Sequence, residues 1–331
     1  MRRPRIEPVV WSPPKVRQQD RPVQGSLPAL TVLPVSGVGP EDVVVDNGHV
    51  FTGVEDGRIL RLTADGQRLD TVADTGGRPL GVELYPDERL LVCDAHRGLL
   101  LVDRRSGDVE VLVAKGPDLR VCNNAAVAAD GTVYFTDSTS RFELEYWKAD
   151  LLEHRGSGRL LRRDPDGTVE TVLDGLHFAN GVALAPDESA VVVASTGSYQ
   201  LDKVTLTGAR QGRHDVFVAS LPGFPDNIAT GSDGNLWIAL GSPRVPMLDL
   251  VHRLHPIIRK AAWGLPEPLQ PKEKPVVWVR AVDFATGATV HDCYGTSPDF
   301  HMVTGVREHD GTVYVGSLAE QAIATFRLTD R

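Results

Sequence analysis

The chain has 331 residues, of which 41% are hydrophobic and 24% charged, with a formal net charge of -9. That balance describes a globular protein and not a disordered one. The acidic total argues against nucleic-acid binding, which draws most of its affinity from neutralised phosphates.

The first 27 residues carry the one basic cluster, Arg2, Arg3, Arg5, Lys15, Arg17 and Arg21, among several prolines. Little periodicity accompanies it, so residues 1-27 read as a flexible extension. The three cysteines, Cys93, Cys122 and Cys293, give neither a disulfide framework nor a zinc spacing. No apolar run approaches the roughly 18 residues needed to span a bilayer. A cytoplasmic location is the expectation.

From residue 28 onward the sequence predicts one all-β domain built on an internal repeat. Six copies begin at Glu41 (EDVVVD), Leu80 (LGVELY), Asn123 (NNAAVA), Asn180 (NGVALA), Asp226 (DNIATG) and Thr304 (TGVREH). Second strands follow as HVFTGV, RLLVCD, TVYFTD, AVVVAS, NLWIAL and TVYVGS. Three of the intervals match the roughly 40–50 residues of a four-stranded propeller blade. The pattern predicts a six-bladed β-propeller spanning 28-331. Leu30–Val35 (LTVLPV) has no blade of its own and is predicted to close the ring as the outer strand of the last blade.

The two long intervals contain inserts. Residues 138-157 mix aromatic and charged side chains around a predicted helical turn. Residues 242-274 place Leu248, Val251, Leu254, Ile257 and Ile258 at helical spacing, with Pro256 ending one helix or starting a second. The inserts either cap the channel mouth or cover the side of the propeller.

The innermost strand of each blade lines the channel, so the first residue of each copy faces its mouth. Four of those six residues, Glu41, Asn123, Asn180 and Asp226, are oxygen donors. Two carboxylates and two amides suit a hard cation such as Ca2+ better than zinc or copper. Asp42, Asn124 and Asn227 directly follow three of the four; they read as turn residues, as support behind the site, or as ligands of a second, deeper calcium. His177 and His301 lie three residues before Asn180 and Thr304, where each could be a general base or an uninvolved loop histidine. Asp226 could act as base or nucleophile, or only ligate.

The segments FANGVALAPD, FPDNIATGSDGNLWIAL, GRPLGVEL, FTDSTSRF and REHDGTVYVGSL resemble the strictosidine synthase-like and adipocyte plasma membrane-associated protein-like family. They also resemble the wider superfamily of gluconolactonases, paraoxonases and diisopropyl-fluorophosphatases. The resemblance implies a six-bladed propeller with Glu41, Asn123, Asn180 and Asp226 as ligands of a catalytic calcium, and Asn227 as a fifth. Two departures matter. The stretch HMVTGVR puts Thr304 where strictosidine synthases use a Glu, so Pictet-Spengler chemistry is not expected. Leu80 stands where paraoxonases place a His. The expected function is calcium-dependent hydrolysis of a small-molecule ester or lactone. Phosphotriester hydrolysis and a non-enzymatic binding propeller with structural calcium are the alternatives.

Overall fold

The computed structural model describes residues 3–266 and 274–328; residues 1–2 of the extension and 267–273 of the second insert lie outside the described residues. Among the described residues, twenty-four strands, β1 to β24 in chain order, form six four-stranded antiparallel sheets. Blade one (β2–β5) runs from Val44 to Asp74, blade two (β6–β9) from Pro79 to Ala114, and blade three (β10–β13) from Cys122 to Leu176. Blade four (β14–β17) covers Ala179 to Val218 and blade five (β18–β21) Gly223 to Gly295. Blade six combines β22–β24, Val303 to Arg327, with the N-terminal strand β1, Thr31–Pro34. The pairing of β1 with β24 matches Val32 to Ala324 and Leu33 to Ile323. It covers the edge that β24 would otherwise expose and joins the two ends of the blade array.

The core lies between the blades, where second and third strands bury Val, Leu and Ile from both faces. Continuous apolar strands such as Leu90–Asp94 and Ala190–Ser195 are fully buried for this reason, each being packed on both sides.

Near the axis the packing is tighter. Five of the six inner strands break register where they meet the mouth: β6 (Pro79–Leu84) between Pro79 and Val82, β10 (Cys122–Val127) between Cys122 and Ala125, β14 (Ala179–Leu184) between Ala179 and Val182, β18 (Gly223–Thr230) between Pro225 and Ile228, and β22 (Val303–His309) between Val303 and Gly305. Such bulges bend the strand and re-aim a side chain. The residue after the mouth position then alternates around the ring. It is glycine at Gly81, Gly181 and Gly305, and a polar side chain at Asp42, Asn124 and Asn227. Each glycine lets the neighbouring polar residue approach. A Cβ on Gly181 would sit 2.5 Å from Asn227 Cα, one on Gly81 2.8 Å from Asn124 Cα, and one on Gly305 2.6 Å from Asp42 Cα.

The first insert holds a short helix α1, Trp147–Glu153, ended by His154 in the left-handed conformation. The second forms a helical pair, α2 (Pro246–Arg253) and α3 (Pro256–Trp263). Pro256 starts the second helix, where its missing N–H costs nothing. Residues 3–27, expected to be flexible, make specific contacts, residues 3–14 with these inserts and residues 20–26 with blade five. Val9 N–H donates to Glu153 O of α1 at 2.9 Å and Trp11 N–H to His252 O of α2 at 3.0 Å. Arg3 donates to the Trp263 and Leu265 carbonyls at the end of α3, and Trp263 Nε1 donates to Pro4 O. Arg3 of the basic cluster thus supplies donors for helix-end carbonyls, which helps a proline-rich stretch with few N–H groups of its own to dock.

Substituting Gly181 with Ala drives a methyl group into the backbone of β18, 2.2 Å from Ile228 N. Urea unfolding should show a loss of about 1–3 kcal/mol, the usual cost of overpacking. An unchanged midpoint would contradict the close approach described.

Candidate metal centre

Glu41, Asn123, Asn180 and Asp226 line one cavity at the axial mouth, as expected from the repeat. Glu41 stands just before β2 (Val44–Asp46), and the others sit at the bulges of β10, β14 and β18. Four buried oxygens here have no hydrogen-bond partner among the described residues: Glu41 Oε2, Asn123 Oδ1, Asn180 Oδ1 and Asn227 Oδ1. Buried polar atoms are nearly always paired, so a convergent group of bare acceptors needs a reason. Neighbouring groups aim them. Asn227 Nδ2 donates to Glu41 Oε1 at 3.0 Å. Asn180 Nδ2 donates to Thr196 Oγ1 at 3.3 Å, and that hydroxyl donates to Pro225 O at 2.7 Å. Asn180 and Asn227 thus spend an amide N–H on the protein while their side-chain oxygens stay bare. Thr196 therefore orients Asn180, a role that its position after the second strand of blade four does not advertise.

The polar residues behind this layer separate into two kinds. Asp42 accepts from Val43 N, Val82 N and Asn124 Nδ2. Asn124 Oδ1 accepts from Val182 N at 2.9 Å. These two fasten inner strands to one another, and their oxygens are occupied. Asn227 breaks the pattern: it turns toward Glu41, and its Oδ1 is left bare. Its oxygen thus stays available beside the cavity donors, whereas those of Asp42 and Asn124 are taken by the protein. Beneath them a half-buried Arg307 pairs with Glu83 at 2.7 Å and places its positive charge near Asp42.

The electrostatics agree with crowded oxygen donors. Burial, followed by the charges of Asp226 and Asp42, raises the Glu41 carboxyl well above the ordinary range, with Arg78 a partial offset. Burial pushes Asp226 up to about 7 against a hydrogen bond from Asn180, and Asp42 adds to the rise. Two carboxylates and three amides with bare oxygens fit a hard divalent cation, which would neutralise the first and satisfy the second. Among the described residues no three His, Cys, Asp or Glu side chains are arranged to hold a metal; the set here is built largely from amides.

The remaining expectations fare differently. His177 does not line the cavity. Its ring stacks on His154 at 3.9 Å, and His154 stacks in turn on Trp11 at 3.9 Å, with His252 edge-on at 5.0 Å. Burial lowers the pKa values of His177 and His154 and brings His252 down to about 3, so these rings act as neutral packing between the extension and the cap. His301 also stays outside the lining and pairs with Glu320 on the rim. Three residues of separation bring both histidines near the mouth but point their rings elsewhere. Thr304 is buried and donates to Glu41 O at 2.8 Å. The inserts do form a cap: Trp147 and Leu151 of α1, with Leu248 and Val251 of α2, share the cavity lining with the donor set.

Fold and site together define a six-bladed propeller with an oxygen-donor centre at its capped mouth. The chain belongs to the SMP-30/Gluconolactonase/LRE-like family, whose model matches residues 40–254. It is 34% identical over 310 residues to the adipocyte plasma membrane-associated protein of Salmo salar, covering 85% of this chain and 73% of that protein. It is also 34% identical over 244 residues to protein strictosidine synthase-like 6 of Arabidopsis thaliana, covering 70% and 65%. Among solved structures, a gluconolactonase from Xanthomonas campestris superposes with a TM-score of 0.65 at 18% identity, covering 98% of this chain and 97% of that one. A calcium-binding regucalcin from Agrobacterium tumefaciens gives 0.62 at 15% identity, covering 90% and 93%. These two share the fold. No helix among the described residues is long and apolar enough to cross a membrane.

The raised carboxyls of Glu41 and Asp226 contribute a destabilisation of the metal-free fold that is absent below about pH 4 and grows as pH rises toward 7. Glu41→Gln removes one of the two crowded charges and keeps the bond from Asn227. At pH 7 in chelator it should be more stable than wild type, because the amide removes a carboxyl whose ionisation is opposed by burial and then by Asp226. Urea unfolding from pH 4 to pH 7 checks this; a destabilised variant would contradict the crowding.

Proposed function

We propose that this chain is a calcium-dependent hydrolase of esters or lactones. The observation that carries the reading is a group of four bare, buried oxygens, three of them on residues that line a capped cavity and the fourth on Asn227, bonded to Glu41. Glu41, Asn123, Asn180, Asp226 and Asn227 would hold the ion. Bound there, calcium supplies Lewis-acid polarisation of a carbonyl and stabilisation of a developing oxyanion. Asp226 is the more reachable of the two cavity carboxylates, since Glu41 is only 2% exposed and Asp226 is half-buried. It orients a water and takes its proton. With His177 and His301 outside the lining, no histidine shares that task. The cap helices hold bulk water away from the reacting carbonyl. Membership of a family described by gluconolactonase, and a shared fold with a gluconolactonase and a calcium-binding regucalcin, support the reading. Thr304, committed to the Glu41 carbonyl, supplies no amine base, which speaks against Pictet-Spengler condensation.

Hydrolysis of phenyl acetate and a small lactone panel, with and without chelator, tests this. Chelation should abolish turnover, and Asn180→Ala and Asp226→Asn should each lower kcat/KM by roughly 100-fold or more, the scale of losing one electrostatic stabiliser. Full activity of the metal-free protein would overturn the mechanism, and faster turnover of paraoxon than of any ester or lactone would move the reading to phosphotriesters.

A further inference from the structure

The walls of the cavity differ sharply from its floor. Above the donor set the lining is mainly apolar from three directions: Leu144, Trp147 and Leu151 from the first insert, Leu248 and Val251 from the second, and Phe224 from blade five. Outside the donor set, the lining side chains with polar groups are Thr196, Ser242, Lys148 and, through its indole N–H alone, Trp147. The Thr196 hydroxyl donates to Pro225 O and the Ser242 hydroxyl to Pro243 O, so both hydrogens are already spent. Lys148 Nζ lies 5.1 Å from the centre of the Trp147 ring. The cavity measures about 220 Å³, against roughly 150 Å³ for a dry apolar cavity that takes up benzene.

From this contrast we infer that the cavity selects a substrate with a single carbonyl head and a bulky hydrocarbon body, and rejects sugar lactones. The inference rests on the hydrolase reading for the head group and on the cap residues alone for the body. A carbonyl at the donor set leaves the rest of the molecule against Trp147, Leu151, Leu248 and Val251. Alkyl groups gain from that burial, by roughly fourfold in affinity per methylene. A sugar lactone brings several hydroxyls into the same walls, where they lose water and find few partners, and a site lacking matching groups discriminates against them strongly. Trp147, Leu248 and Val251 are the specificity-determining residues.

The test separates binding from turnover. 3-Heptylcyclohexanone keeps the ring, carbonyl and alkyl group of δ-dodecalactone but cannot be hydrolysed. Titration calorimetry on the full chain should show one site for it and at least a hundredfold weaker binding of 3-methylcyclohexanone. Leu248→Asn should weaken the heptyl compound at least tenfold while leaving calcium affinity unchanged. Trp147→Ala, at a half-buried position, serves the same purpose if the first variant does not fold. Equal affinity for the two ketones, or no effect of either variant, overturns the inference. Initial rates on δ-dodecalactone and D-glucono-δ-lactone then complete the comparison. Ketone binding with neither lactone hydrolysed keeps the apolar selectivity and removes the hydrolase reading. Faster turnover of the glucono-lactone keeps the hydrolase reading and removes the selectivity.

Discussion

Bare oxygens held out of water are the constraint around which the rest of this molecule is arranged. Each buried acceptor without a partner costs about 1–3 kcal/mol, and here Glu41, Asn123, Asn180 and Asn227 each present one at the axis. A fold of marginal stability keeps such a group only if something else holds it together. The six inter-blade cores and the closure of blade six by β1 perform that task. The site is thus a local concentration of unfavourable electrostatics on a scaffold stiff enough to tolerate it, and the proposed divalent cation would reverse its sign.

The stiffness has a specific origin. Inner strands of a propeller converge, and side chains alternate faces along each strand, so aiming the mouth residue inward needs a local break in the ladder. The bulges at the mouth provide it, and the alternation of glycine with Asp or Asn lets six strands crowd the axis without collision. Asp42 and Asn124 bond the backbone of blades two and four, which locks neighbouring blades in register. Asn227 occupies the third equivalent place but pairs with Glu41 instead, and so moves from fastening to the donor set.

Much of this was legible from the amino acids. The repeat exposed the blades, and the register of its first residues picked out Glu41, Asn123, Asn180 and Asp226, because a propeller's geometry assigns every such position to the mouth. LTVLPV announced the closing strand by having no blade. What the sequence left open depended on side-chain direction. Asp42, Asn124 and Asn227 look alike in the repeat, and only their hydrogen bonds separate them. His177 and His301 sit at matching loop positions, yet one ring stacks in a histidine–tryptophan column and the other faces an acid on the rim. The extension reads as a tail since its partners, helix-end carbonyls in two remote inserts, have no local signature. The alternating glycines in LGV, NGV and TGV were visible, and their meaning as close-approach positions follows once the ring is closed.

The central claim is that these side-chain oxygens from different blades form one cation site. Crystals grown with calcium, with anomalous scattering used to place the ion, test it most directly. The account predicts one calcium at the axial mouth with oxygens of Glu41, Asn123, Asn180, Asp226 and Asn227 at about 2.3–2.6 Å. Calcium bound elsewhere, or a mouth in which these oxygens turn away and hydrogen-bond to the protein, would contradict it.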